Sequence, residues 1–165
     1  MGVLGISLLF VGITLVSNGL NRFLKTDGKS TAFMNLFTGF ILVTGNIIML
    51  VKASDIMQYQ NVASGFLFGI TYLFIAVNYL FKIDLRPFGL YSLFVAIYAT
   101  VMAVSSYGVD IRFVLLWGAW AILWLEGFLE LVLKFKLEKI FPYLSILIGL
   151  FAAFIPAILM LTDKW

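Results

Sequence analysis

The sequence predicts an all-α membrane protein in which six transmembrane helices form three helical hairpins around a central pore in the protomer. Three observations lead to this prediction: the composition, six apolar stretches and a threefold repeat. Of the 165 residues, 63% are hydrophobic and 12% are charged, whereas soluble domains are about half apolar and a quarter charged. A soluble chain of this size has too little interior to bury so much apolar surface, so we expect a lipid bilayer around it.

The six apolar stretches are long enough to cross the hydrocarbon core of a bilayer, which takes about 20 helical residues. Polar breaks separate them and little else remains, so we expect one integral membrane channel domain over residues 1–165. No basic segment precedes the first stretch, which predicts a retained helix rather than a signal peptide. The predicted helices cover about residues 3–22, 31–52, 60–82, 87–105, 111–134 and 140–161.

Basic residues are concentrated in alternate loops. Eight of the eleven lysines and arginines stand in the first, third and fifth breaks between the apolar stretches. By the positive-inside bias these loops are cytoplasmic, which places both termini outside a bacterial cytoplasmic membrane. The net charge of +3 is therefore explained by topology and does not indicate a nucleic-acid partner. The basic residues concerned are Arg22, Lys25, Lys29, Lys82, Arg86, Lys134, Lys136 and Lys139.

The composition also argues against catalysis and cofactors. The chain contains no cysteine and no histidine, so thiolate chemistry, iron–sulfur sites and the commonest metal ligand are excluded. No pair of acidic residues is placed as a general acid and base. We therefore expect neither an enzyme nor a site for a metal or cofactor.

Three cytoplasmic turns resemble one another. Aligning Lys25, Lys82 and Lys134 gives spacings of 57 and 52 residues, which predicts three similar hairpins that turn near these lysines. Small residues would allow helices one, three and five to approach closely around a pore axis. These small residues stand thirteen positions before each lysine and are Gly12, Gly69 and Ala121.

The fifth predicted helix carries Trp117, Trp120 and Trp124 on one stripe. An interfacial aromatic belt does not suit Trp120 and Trp124, which lie about 15 and 20 Å from the start of the helix at 1.5 Å per residue. Two readings remain open at this point: a packing seam and a pore lining.

The repeat places rings and aliphatic side chains at two levels, one helical turn apart. Such narrow apolar constrictions suit a small planar neutral solute and offer an ion nothing to replace its hydration shell. Hydroxyl groups of Thr14, Thr71 and Tyr72 are candidates for a few hydrogen bonds to it. The two aligned sets are Val11, Phe68 and Trp120, and Leu15, Tyr72 and Trp124.

Two acidic residues lie inside the fifth helix. Glu130 stands four residues before Lys134, which favours an intrahelical ion pair. Glu126 has no cation at helical spacing, and such an intramembrane acid is a candidate functional residue. It lies about 200° around the helix from Trp124, so we expect it to face another helix. Candidate neutral partners are Asn35, Asn46, Asn78 and Tyr98.

Several longer runs are similar to a known family. The chain resembles the UreI/AmiS family of urea channels and short-chain amide transporters over nearly its whole length. The matching runs cover residues 11–19, 29–35, 65–73 with Asn78, 86–97, 117–125 and 155–157, and they include Val-Gly-Ile-Thr-Leu-Val-Ser-Asn-Gly and Leu-Trp-Leu.

The resemblance implies a six-helix protomer with its own pore, assembled as a homohexameric ring. It implies passive permeation of urea or an acetamide-like solute toward a cytoplasmic urease or amidase. Carried over by position, the pore-lining residues are Leu8, Val11, Leu15, Ile70, Thr71, Trp117, Trp120, Leu123 and Trp124.

This chain departs from the family pattern at three places. Acid-gated members carry outside loops rich in histidine and acids, which are short and lack histidine here, so we expect no proton gate. Phe74 stands where members have a pore tyrosine, and Ile148 replaces a glutamate in helix six, for which Glu126 is a candidate substitute. These departures favour the amide branch.

The leading hypothesis is thus a passive, ungated channel for urea or short-chain aliphatic amides. A proton-coupled amide transporter that uses Glu126 is the alternative. A membrane scaffold or enzyme is a third reading, and it leaves the tryptophan stripe unexplained.

Overall fold

A computed structural model describes residues 2–165 as an all-helical chain. In this range six helices are long and apolar enough to cross a membrane, which confirms the predicted number of spans. Five are uninterrupted: α1 (Gly2–Leu24), α2 (Gly28–Lys52), α3 (Ile56–Phe81), α4 (Arg86–Ser106) and α5 (Ile111–Leu131). The sixth span, Phe141–Leu161, consists of α6 (Phe141–Gly149), a π-helical turn (Leu150–Phe154) and α7 (Ile155–Leu161).

Aspartates begin three of the helices. The carboxylate of Asp27 accepts a hydrogen bond from a backbone N–H of α2 at 3.2 Å. Asp55 does the same for α3 at 2.9 Å, and Asp110 for α5 at 2.9 Å. Each carboxylate satisfies a backbone donor that the first helical turn leaves without a partner.

The three aligned lysines share one backbone conformation. Lys25, Lys82 and Lys134 have φ angles of 50°, 50° and 61°, in the left-handed region that commonly ends helices. The backbone N–H of Lys82 donates to the carbonyl of Asn78 at 2.8 Å. Lys25 and Lys82 directly follow α1 and α3, whereas Lys134 lies three residues beyond Leu131, the last residue of α5. The shared conformation agrees with the alignment of the lysines, and α5 ends before the predicted residue 134.

The most extensively packed helix pairs are α2 with α3, α4 with α5, and α1 with the sixth span. These are not the pairs joined by the lysine turns. A Cβ on Gly12 would lie 2.7 Å from the backbone nitrogen of Phe154, and one on Gly69 would lie 2.7 Å from Val43 of α2. Gly12 therefore seats α1 on the sixth span, and Gly69 seats α3 on α2. These two glycines do not bring odd helices together, which differs from the expectation stated above. The hairpin arrangement around an axis stays a prediction.

Buried polar side chains tie α1 to its neighbours. The hydroxyls of Thr14 and Thr38 lie 2.6 Å apart. The amides of Asn18 and Asn35 donate to each other at 3.0 and 2.7 Å. The Ser145 hydroxyl of the sixth span donates to the Leu15 carbonyl at 2.7 Å. Such interhelical hydrogen bonds stabilise the association of helices inside a bilayer, where the hydrophobic effect does not drive helices together.

Candidate functional site

A narrow cavity of about 80 Å³ lies among the helices. Since about 10 to 15 Å³ of such space suffices for one water, it has room for a small solute. Its wall is mostly apolar and comes chiefly from α3 and α5, with smaller contributions from α1, α4 and α6. The lining residues are Leu15, Asn18, Phe68, Thr71, Tyr72, Ile75, Phe88, Ser92, Trp120, Leu123, Trp124, Glu126, Gly127 and Phe141.

Three aromatic rings dominate this wall. The Phe68 ring lies edge-on to Trp120, with centroids 4.8 Å apart and planes at 85°. It lies equally close to Trp124, at 4.8 Å and 66°. The two tryptophan centroids are 5.9 Å apart. Both tryptophans are buried, at 3% and 6% exposure, so they are not interfacial belt residues in the protomer.

The polar side chains of the wall are mostly engaged within the protein. The Thr71 hydroxyl donates to the carbonyl of Leu67 at 2.8 Å, and the Ser92 hydroxyl donates to that of Phe88 at 2.9 Å. The Tyr72 hydroxyl makes a longer bond, of 3.4 Å, to the carbonyl of Val11. Their donors are therefore not free for a solute.

Glu126 is among the residues that line the cavity. Its carboxyl also lies near the side chains of Glu130 and of Arg22 on α1. Three of the four expected neutral partners are engaged elsewhere. Asn35 binds Asn18, Asn46 donates to the Leu42 carbonyl, and Tyr98 binds Ser64.

Glu130 pairs with Arg22 of α1, at 3.3 Å, instead of with Lys134. Lys134 lies beyond the end of α5 in left-handed backbone, so the helical i, i+4 geometry does not reach it. The Arg22 guanidinium also lies 4.0 Å above the ring centroid of Phe141. Arg22 thus joins α1, α5 and the sixth span at one end of the cavity.

The cavity brings together seven of the residues singled out in the sequence, namely Leu15, Thr71, Tyr72, Trp120, Leu123, Trp124 and Glu126. Leu8 and Val11 lie in the adjoining core, and the centroid of the half-buried Trp117 is 6.4 Å from that of Phe68. Phe74 stacks on Phe88 at 4.8 Å. Ile70 is 44% exposed and is not brought to the cavity.

Some of the lining residues carry a weaker signal in the sequence. The repeat aligns Phe68 with Trp120, and this alignment indicates a pore role for Phe68. Asn18 and Ser92 are polar residues inside predicted spans, which was also a usable signal. Phe88, Ile75 and Phe141 had no distinguishing pattern among the many apolar residues of the chain.

Comparison with known proteins identifies a family. Residues 3–164 match the model described as "AmiS/UreI family transporter". An acid-activated urea channel of Helicobacter pylori is 37% identical over 194 aligned positions, which cover 99% of this chain and all of that protein. A transporter protein named AmiS2 of Rhodococcus erythropolis is 36% identical over 169 positions, covering all of this chain and 81% of that protein.

Solved structures agree with this similarity. The cryo-EM structure of the Helicobacter pylori urea channel in a closed state matches with a TM-score of 0.89 and 38% identity, over 98% of this chain and 99% of that one. The expectation of an ungated channel is wrong on these findings, because the relatives are named acid-activated and the matching structure is a closed state. The absence of histidine, on which that expectation was based, does not exclude carboxylates as proton acceptors.

Proposed function

Because the chain belongs to the AmiS/UreI family of transporters, we propose that it is a urea channel that acid opens. The observation that carries this proposal is the aromatic cavity, in which Phe68, Trp120 and Trp124 form a narrow apolar passage. Full-length similarity to proteins named acid-activated urea channels supports urea as the solute and acid as the signal that opens the channel.

The aromatic rings select by shape and by desolvation. A small planar amide slides along flat rings at little cost, whereas an ion loses its hydration shell without replacement. Permeation is proposed to be passive, since the relatives are named channels. The residues proposed to line the passage are Leu8, Val11, Leu15, Thr71, Tyr72, Trp117, Trp120, Leu123, Trp124 and Glu126, together with Phe68; Phe74 supports the wall through Phe88.

Acid opening must act through carboxylates, since the chain has no histidine. On the proposed topology the outer loops hold the side-chain carboxylates of Asp55, Asp110 and Asp163. Arg112 donates two hydrogen bonds to Asp110 at 2.7 and 2.9 Å and holds the pKa of that carboxyl below its ordinary value. Asp110 therefore stays ionised in mild acid. The carboxylates of Asp55 and Asp163, which make no salt bridge within residues 2–165, are the outer acids proposed for testing.

The proposed setting is the bacterial cytoplasmic membrane. The lysine turns lie in the cytoplasm and both termini lie outside, as the charge distribution favours. The chain forms one membrane channel domain of three hairpins around the pore, and six copies form a ring. Urea that enters would meet a cytoplasmic urease.

Short-chain aliphatic amides are a second candidate solute class. The alignment with the AmiS2 transporter spans 169 positions and needs almost no insertion relative to the 165 residues of this chain. The alignment with the urea channel spans 194 positions, so that relative carries residues that this chain lacks. A cytoplasmic amidase would then consume the solute.

Stopped-flow light scattering on proteoliposomes tests these proposals. We expect urea uptake well above that of empty liposomes at pH 5 and slower uptake at pH 7.5, with acetamide measured in parallel to rank the two solutes. Uptake at the rate of empty liposomes at both pH values would contradict the proposed channel function. Equal rates at the two pH values would contradict opening by acid.

A further inference from the structure

We propose that Glu126 selects amide solutes by accepting hydrogen bonds from their N–H groups inside the cavity, an inference that rests on the proposed urea channel function. The proposal assigns to one side chain a specificity that the aromatic walls do not supply. Flat rings sort solutes by thickness, but they do not distinguish an amide from another small neutral molecule.

The first observation is that the Glu126 carboxyl has no partner. The residue is 5% exposed, and neither of its oxygens is hydrogen-bonded to any group among residues 2–165. Buried polar side chains are almost always hydrogen-bonded, and those that are not are frequently found at functional sites. Both oxygens belong to a residue that lines the cavity, so a ligand in the cavity is the natural partner.

The second observation is that nearby donors are committed elsewhere. Arg22 binds Glu130 at 3.3 Å and lies over the ring of Phe141. Asn18, which shares the cavity wall, is paired with Asn35. The other close neighbour of Glu126 is the carboxyl of Glu130, which is paired with Arg22 and, as a carboxylate, accepts hydrogen bonds and does not donate them. A hydrogen bond in which Glu126 is the acceptor therefore needs a donor from a solute or from water.

The Glu126 carboxyl is chemically complementary to an amide or urea. A planar carboxyl presents two acceptor oxygens side by side, and an amide NH₂ or urea presents N–H groups in one plane. In either protonation state the carboxyl keeps at least one accepting lone pair. The rings of Trp120 and Trp124 line the same cavity, where they would hold the solute flat. Glycerol has hydroxyl groups but no such planar set of donors.

The test compares permeation of urea, glycerol and water through proteoliposomes that contain the wild type, Glu126→Leu, Glu126→Gln or Glu138→Leu. Glu126→Leu removes the acceptor and keeps the bulk, and Glu126→Gln keeps one acceptor oxygen. Glu138→Leu removes an exposed carboxylate outside the spans and is the matched control. We expect Glu126→Leu to lower the urea-to-water permeability ratio about tenfold, the value of one hydrogen bond, with the glycerol-to-water ratio unchanged. Glu126→Gln should recover most of the urea rate, and Glu138→Leu should behave as the wild type.

A merely structural role would lower all three permeabilities together, and that result would overturn the proposal. So would an unchanged urea-to-water ratio in Glu126→Leu. A second measurement does not depend on flux. The NMR signal of the Glu126 ¹³Cδ in lipid, assigned by its loss in Glu126→Gln, should shift when urea is added. The absence of a shift would refute the inference. Absence of wild-type urea flux would instead count against the proposed function alone.

Discussion

The rings of Phe68 on α3 and Trp120 on α5 make a T-shaped contact, with centroids 4.8 Å apart and an interplanar angle of 85°. This edge-to-face geometry is favourable, because the positive edge of one ring meets the negative face of the other. It joins two helices that are 52 residues apart at this point of the chain. The contact narrows the cavity at its aromatic wall.

Replacing Phe68 with alanine is expected to widen the passage and reduce its selectivity. Sites that distinguish solutes by one methylene-sized group do so by about tenfold or more, so glycerol permeation should rise by at least that factor relative to urea. Stopped-flow measurement of both solutes in proteoliposomes provides the check. Phe81→Ala is the control, because Phe81 lies on the same helix, is 72% exposed and is not a lining residue. A Phe68→Ala variant with wild-type selectivity would show that this ring does not limit the passage.

Acid activation is expected to depend on Asp55 and Asp163. The double variant Asp55→Asn/Asp163→Asn removes both of these outer carboxylates, so the ratio of urea uptake at pH 5 to that at pH 7.5 should fall toward one if acid opening acts through them. Asparagine caps helices about as well as aspartate, so α3 keeps its N-terminal cap. Retention of the full wild-type ratio would place the proton sensor elsewhere.

Asp84 supplies a control for that experiment. Its carboxylate accepts hydrogen bonds from the side chain of Arg86 at 2.6 and 2.9 Å, which lowers its pKa from 3.8 to about 2. A lowered pKa means that the pair is fully ionised above the ordinary value and is lost only as the pH falls through about 2. Asp84→Asn should therefore leave the pH dependence of uptake between pH 5 and 7.5 unchanged.

Gly12→Ala is expected to destabilise the protein, whereas Gly118→Ala is not. A Cβ at position 12 would lie 2.8 Å from the carbonyl oxygen of Gly149 and 2.7 Å from the backbone nitrogen of Phe154, so the sixth span would have to move. Overpacking of this kind typically costs about 1–3 kcal/mol. A Cβ at position 118 meets nothing within 4 Å, and alanine is the better helix former by about 1 kcal/mol. Thermal unfolding in detergent should show a lower midpoint for Gly12→Ala alone. Equal midpoints would contradict the close contact between α1 and the sixth span.

The spans and their ends could be predicted from the sequence because their causes are local. Bilayer thickness sets the length of each apolar stretch, and every backbone donor in lipid must be satisfied within the helix. The stripe of tryptophans follows from helical periodicity alone. The turns at Lys25, Lys82 and Lys134 were visible as a repeat, although their left-handed backbone was not.

The partners of the polar residues depended on the tertiary structure. Glu130 binds Arg22, 108 residues away, although its sequence neighbour Lys134 carries the same charge. Helix rotation about its own axis is set by packing against distant segments, and it determines which side chains face the cavity. Ile70, expected in the pore lining, is exposed instead for this reason. The sequence by itself determined six membrane helices with an aromatic stripe, because length and periodicity suffice for that. Only the tertiary structure decided that the buried carboxyl of Glu126 lines the same cavity as those aromatic rings, because long-range packing fixes how each helix is rotated.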